Sequence, residues 1–174
     1  RFCIRMSQDW EKVWPIVNEG PFVVEHKGMY YMTYSANSYE SPNYGIGLAT
    51  SISPEGPWVK YEGNPILQFC GGLHGVGHHA LFKDAKGRSR IVFHSHNAPG
   101  KIHPRIVHIG RYKIKKGENP MKINIDKEID AHRCPTICFC TVATTCYELW
   151  EREHKCYLCW KAYCKEHNIE IIYD

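Results

Sequence analysis

The chain has 174 residues, 43% of them hydrophobic and 23% charged, which is the make-up of an ordinary compact domain and excludes a disordered chain. Its formal net charge of +4 is dispersed, with no long Lys/Arg run to read as a nucleic-acid surface; Lys113, Lys115 and Lys116 read as one solvated strand end. No apolar run reaches the length of a membrane span, and Arg1 is not followed by a charged-then-apolar leader, so a secretion signal, if the full gene has one, is expected upstream of this chain.

From residue 19 to about 115 the signal is short β-strands separated by turn residues, without a helical period. Pro21 to His26 runs into Lys27-Gly28 and returns as Met29 to Ser35, while Gly45 to Ser51 and Trp58 to Tyr61 are joined by Ser53-Pro54-Glu55-Gly56-Pro57. These four segments predict one antiparallel meander. After Asn64-Pro65-Ile66-Leu67 and a glycine-rich loop, a second set runs from His79 to Lys83, turns at Asp84-Ala85-Lys86-Gly87 and returns as Arg90 to His94. A further strand spans Arg105 to Ile114, and Met121 to Asp126 still alternates like a strand.

The two sets align on their first turns, with Gly28 and Gly87 separated by 59 residues, somewhat above the roughly 40–50 of blade-type repeats. Four-stranded units repeated at that scale predict an all-β fold, a partial β-propeller. In a propeller the innermost strand of each blade starts beside the central axis. Glu19 lies nine residues before Gly28 and His78 nine before Gly87, so the repeat places these two side chains at equivalent positions facing one central pocket. Two blades alone leave open sheet edges, and earlier blades are expected to precede Arg1.

Cysteine usage divides the chain. Only Cys3 and Cys70 precede residue 130, whereas Cys134, Cys138, Cys140, Cys146, Cys156, Cys159 and Cys164 crowd the end. The boundary is set near Asp130, giving a propeller part, 1–130, and a cysteine-rich tail, 131–174. Cys156-x2-Cys159 and Cys164-x2-His167 are two ligand pairs that could close a tetrahedral zinc shell, although only four residues separate them; Thr145 to Glu166 also reads as a helix. A zinc-binding interaction module, a disulfide-linked appendage and a terminus not native to the protein all remain open for this tail.

Seven motifs together resemble glycoside hydrolase family 43, five-bladed propeller enzymes acting on arabinan, xylan and related polymers. In order they are Asn18-Glu19-Gly20-Pro21, Tyr30 to Asn37, Tyr44 to Ser51, Ser53 to Trp58, Asn64 to Leu67, Gly75-Val76-Gly77-His78-His79 and His103-Pro104-Arg105. Each is weak alone; their order and spacing over roughly residues 10 to 115 carry the resemblance. A relative in the invertase-like superfamily is the alternative, disfavoured by Gly20 and by the Gly-x-Gly-His segment.

The resemblance implies inverting hydrolysis of arabinose- or xylose-containing polysaccharide, in which a carboxylic acid protonates the leaving oxygen while a second carboxylate activates water on the opposite face. Glu19 matches the acid, and the bland reading is a surface turn residue beside Gly-Pro. The base and a tuning carboxylate belong to earlier blades in the family; Asp9 and Asp84 match neither, so this chain alone is expected to be inactive or nearly so. His78 matches a histidine that faces a metal ion or water cluster on the propeller axis. Calcium there is optional, since one imidazole suits an oxygen-seeking ion poorly, and no cofactor is required. Arg105 matches the active-site arginine, whose planar fork can hold a sugar hydroxyl, against a bland surface arginine.

Of the other histidines between Leu73 and Ile109, namely His74, His79, His94, His96, His103 and His108, most are expected on strands or at the pocket rim, and none fits a zinc signature. Alternation makes most of the aromatics Tyr30, Tyr31, Tyr34, Tyr44, Trp58 and Tyr61 blade-packing residues, leaving Tyr39 at the rim. The resemblance further implies a carbohydrate partner, no nucleic acid, and an extracellular or periplasmic place of action.

Overall fold

The computed structural model describes residues 3–115 and 120–125. A short 3-10 turn at Asp9–Glu11 precedes eight strands: β1 (Asn18–His26), β2 (Met29–Ala36), β3 (Gly45–Ser51), β4 (Val59–Lys60), β5 (Gly77–Lys83), β6 (Ser89–Ser95), β7 (Ile106–Ile114) and β8 (Met121–Ile125). They form two four-stranded sheets, β1-β2-β3-β4 and β5-β6-β7-β8, antiparallel throughout. These are the two consecutive meanders that the turn residues predict.

The first hairpin pairs His26 with Met29 across Lys27-Gly28, both at positive φ (54° and 76°). That is the backbone twist a two-residue loop needs to match its strands, and Gly28 supplies it without steric cost. In the second sheet the loop after Lys83 is held by Asp84, whose carboxylate accepts the backbone N–H groups of Lys86 and Arg88 and the Nε–H groups of Arg88 and Arg90. Burial alone would raise that carboxyl; the Arg88 N–H and the Arg90 and Arg88 guanidiniums hold it below the usual carboxylate range.

β1 and β5 begin earlier than alternation suggests. Each carries a register shift, between Glu19 and Phe22 in β1 and between Gly77 and Ala80 in β5, which interrupts the two-residue period at the same place in both repeats. β4 is shorter than the predicted Trp58 to Tyr61, with only Val59 and Lys60 laddered to β3.

β2 is covered on both faces. Thr33 and Ser35 point toward the second sheet, where they meet His79 and the His78 backbone. Tyr34 points the other way, onto Trp10 and Glu11 of the segment before β1. Glu11 is fully buried and accepts hydrogen bonds from the Ser7 and Gln8 backbone, the Tyr34 hydroxyl and the Lys60 ammonium. The apolar core lies between the sheets and includes Tyr31, Ile46, Leu48, Val76, Ile91 and Phe93. Fully burying such a side chain stabilises the fold by about 1.5–3 kcal/mol.

The division near Asp130, the ligand pairs Cys156/Cys159 and Cys164/His167, and the helical reading of 145–166 lie outside the described residues.

Candidate functional site

The strand-end irregularities build the site. At the β1 bulge Gly20 adopts φ 55°, and at the β5 bulge His78 itself adopts φ 46°, a left-handed conformation that costs a non-glycine residue about 1–3 kcal/mol. Bulges re-aim side chains. Here they turn Glu19 and His78 toward one another across the seam between the sheets: a Cβ added at Gly20 would lie 3.9 Å from His78 Nδ1, and the Glu19 charge acts on the His78 ring. The nine-residue offset therefore brings together the two side chains it predicts.

Glu19, His78 and Arg105 are all partly exposed, as a site open to a ligand requires. Behind them the structure is dry. Tyr44, fully buried, donates its hydroxyl hydrogen to Glu19 Oε1 at 2.6 Å, and that hydroxyl also bonds to Ser35. Ser35 Oγ in turn accepts the His78 backbone N–H at 2.8 Å. A hydrogen-bond chain thus runs from the β5 bulge through β2 to the Glu19 carboxylate. Burial, and then the adjoining Glu19 carboxylate, push the Tyr44 hydroxyl pKa far up, so it stays a proton-bearing donor.

His94 is also fully buried and stacks on Tyr44 with ring centroids 5.6 Å apart and on His78 at 6.5 Å. Arg105, just before β7, places Nη1 3.2 Å from His94 Nε2, with its guanidinium carbon 4.9 Å from the centre of the Tyr39 ring. A guanidinium only donates, so Nε2 of His94 is the acceptor and the ring proton sits on Nδ1. Burial, reinforced by the Arg105 charge, holds His94 well below the ordinary histidine range. His78 is lowered too, by burial first, with Arg105 opposing the upward pull of Glu19. Both imidazoles are neutral at pH 7.

Two more histidines support the site from behind. Thr33 Oγ1 donates to the Phe22 carbonyl and contacts His79 Nε2 at 2.6 Å, which makes the imidazole the donor of that contact. His108 Nε2 meets Ser95 Oγ at 2.8 Å while Ser95 donates to the His96 carbonyl. The expectation that most of these histidines are strand or rim residues agrees with His79, His94 and His108 on β5, β6 and β7. His94 belongs to the site as well, and neither it nor Tyr44 stands out in the sequence. The cues were that Tyr44 opens a matched motif and that His94 lies between two, because a buried packing aromatic and a buried site aromatic have the same pattern. Tyr39 stands at the rim as expected, 37% exposed, whereas Tyr31, Tyr34 and Tyr44 are buried.

Among the described residues no group of three or more His, Cys, Asp or Glu side chains converges to hold a metal ion. Among the described residues the charged groups that act on the His78 ring are the Glu19 carboxylate and the Arg105 guanidinium. Among the described residues neither buried carboxylate joins Glu19: Asp84 closes its own loop, and Glu11 lies on the opposite face of β2. Asp9 is a fully exposed partner of Lys12.

The profile of Glycosyl hydrolases family 43 matches residues 3–120. An extracellular exo-α-(1→5)-L-arabinofuranosidase of Streptomyces avermitilis is 35% identical over 96 residues, 51% of this chain and 20% of its own length. The fold is similar to that of an endo-1,4-β-xylanase of Bacteroides thetaiotaomicron, with TM-score 0.66 and 41% identity over 70% of this chain and 42% of that one. A thermostable family-43 glycoside hydrolase gives TM-score 0.65 and 38% identity over 78% of this chain and 45% of its own. The chain thus spans a fifth of the arabinofuranosidase and less than half of either solved structure, and its two sheets correspond to part of a propeller. With the profile covering the described fold from residue 3 through β7 and the whole of the Glu19, His78 and Arg105 constellation, this chain belongs to glycosyl hydrolase family 43.

Proposed function

We propose that this chain supplies the proton-donating side of an inverting glycosidase acting on arabinose- or xylose-containing polysaccharide. One observation carries the reading: Glu19 is presented at a partly exposed mouth, anchored by the Tyr44 hydroxyl and flanked by His78 and Arg105. In this reading Glu19 protonates the departing glycosidic oxygen, Arg105 holds a sugar hydroxyl through its guanidinium N–H groups, and neutral His78 hydrogen-bonds sugar or water without a metal ion. The relatives support the substrate class, one being an arabinofuranosidase and one a xylanase. The first of them is an extracellular enzyme, and we place this protein outside the cell on that likeness.

The reading assigns the water-activating carboxylate to blades outside this chain, so hydrolysis by the chain alone is expected to be negligible. Azide can replace the activated water. With phenyl arabinofuranoside or phenyl xyloside, azide forms the new bond at the anomeric carbon from the face opposite the phenoxy group, which leaves as phenol with the proton of Glu19. The expected product is a glycosyl azide of inverted configuration, formed about 10²–10⁴-fold more slowly by Glu19→Gln. Equal rates for the two proteins, or no glycosyl azide from either sugar, would overturn the proposal.

A further inference from the structure

We propose that His94 is a positioning residue that fixes the Arg105 guanidinium at the mouth of the site. The inference rests on the reading of Arg105 as the group that holds the sugar, but its test does not depend on turnover. His94 meets His78 and Arg105 directly and Glu19 through Tyr44: it stacks on Tyr44, which bonds Glu19; it stacks on His78; and it accepts from Arg105 Nη1 at 3.2 Å.

An arginine at a pocket mouth has long torsional freedom, and a planar fork is useful only when its plane is fixed. Two contacts fix it here. The Tyr39 ring lies 4.9 Å from the guanidinium carbon and sets the plane, while His94 Nε2 captures Nη1 and sets the rotation within that plane. His94 cannot itself swing, because it is fully buried between the rings of Tyr44 and His78. A residue that accepts from a cation has to be uncharged, and burial together with the Arg105 charge keeps the imidazole so. The remaining Arg105 N–H groups are then presented in a set direction, beside the carboxylate that Tyr44 anchors.

The acceptor and the stacking surface can be separated by mutation. His94→Gln keeps an acceptor near the position of Nε2 and loses most of the ring; His94→Phe keeps a ring between Tyr44 and His78 and removes the acceptor. In the full chain labelled with 15N-arginine, wild-type protein is expected to give resolved Arg105 Nη signals, because a hydrogen-bonded guanidinium rotates slowly. His94→Phe is expected to speed that rotation and draw the signals together, and His94→Gln to keep the wild-type separation. Signals in a folded His94→Phe as well separated as in the wild type would overturn the proposal. A purely structural ring would give the opposite ranking of the two variants.

Arg105→Met provides the reverse observation should His94→Phe not fold. Loss of the guanidinium is expected to move the His94 Nε2 resonance and to raise the pH at which that ring protonates; unchanged His94 resonances would overturn the proposal. Should Glu19→Gln form glycosyl azide as fast as the wild type while the Arg105 signals still draw together in His94→Phe, the functional reading fails and the positioning role stands.

Discussion

The Tyr44 hydroxyl and the Glu19 carboxylate are 2.6 Å apart, a bond between residues 25 apart in the sequence, one in β1 and the other just before β3. Tyr44 is completely enclosed and Glu19 is not, so the bond tethers a half-solvated acid to the dry interior. It fixes one carboxylate oxygen, Oε1, against the buried ring. A proton donor to a sugar oxygen needs that fixed direction more than it needs depth.

Tyr44→Phe removes the tether and keeps the ring stacked on His94. An intramolecular hydrogen bond contributes a net stabilisation of about 0.5–1.5 kcal/mol, so a loss of about 1 kcal/mol is expected in urea unfolding at pH 7. In a Glu19→Gln background the same change should cost clearly less. Additive losses in that double-mutant cycle would mean the two groups do not interact.

Gly77→Ala tests the same tether from behind. A Cβ at residue 77 would sit 2.2 Å from the Tyr44 ring, a distance no packed carbon tolerates, and Tyr44 has nowhere to retreat because it is stacked on His94. The expected cost is about 1–3 kcal/mol of stability. The measurement is the unfolding midpoint, together with the Tyr44 ring resonances, which should shift; a silent substitution would show that the ring is looser than its contacts imply.

Much of this was legible in the sequence, for a specific reason. Glycine turns at Lys27-Gly28 and Asp84 to Gly87, with alternating apolar residues on either side, encode hairpins locally, and counting back from each turn locates Glu19 and His78. The repeat does the three-dimensional work that no single motif could. Tyr44, His94 and Glu11 were not legible because their roles come from partners far along the chain, Glu19, Arg105 and Lys60, with no periodic signature. Nothing in the alternating pattern distinguishes an aromatic that merely fills space from one whose hydroxyl meets a carboxylate. The bulges were hidden as well, since an inserted residue looks like a break in alternation and shortens the apparent strand.

Glu11, in the 3-10 turn before the first sheet, is a fully enclosed carboxylate, and its surroundings predict a structural role. Burial raises its carboxyl, but Lys60, the Gln8 and Ser7 N–H groups and the Tyr34 hydroxyl outweigh this and hold it below the usual range, so it is charged at pH 7. Lys60 is nearly enclosed alongside it. Glu11→Gln leaves that ammonium without its counter-charge, and breaking a buried pair from one side costs about 3–5 kcal/mol. Glu11→Gln should therefore unfold at markedly lower urea, whereas Asp9→Asn, whose carboxylate is fully exposed, should leave the midpoint in place.

Acid should unfold this protein through its histidines before its carboxylates. His79 is lowered to about 3 by burial, with the neighbouring His78 charge adding to it, and His108 to about 4 by burial alone. In the unfolded chain each titrates near 6.5, so between pH 6.5 and these folded values the unfolded state binds more protons and stability falls as the pH drops. At pH 5 each ring contributes a loss of about 2 kcal/mol relative to pH 7. Urea unfolding at the two pH values should show that drop, and His79→Gln, which keeps a donor for Thr33 but cannot take a proton, should remove His79's share of it. A pH dependence unchanged in that variant would mean that His79 is protonated equally in the folded and unfolded chains. Asp84 makes the contrast: its lowered carboxyl stabilises the fold at all pH values above about 4 and gives that up only as the pH falls toward its folded value. Loss of stability beginning near pH 6 is thus a signature of the enclosed imidazoles, and loss beginning only below pH 4 would assign it to Asp84 and its arginines.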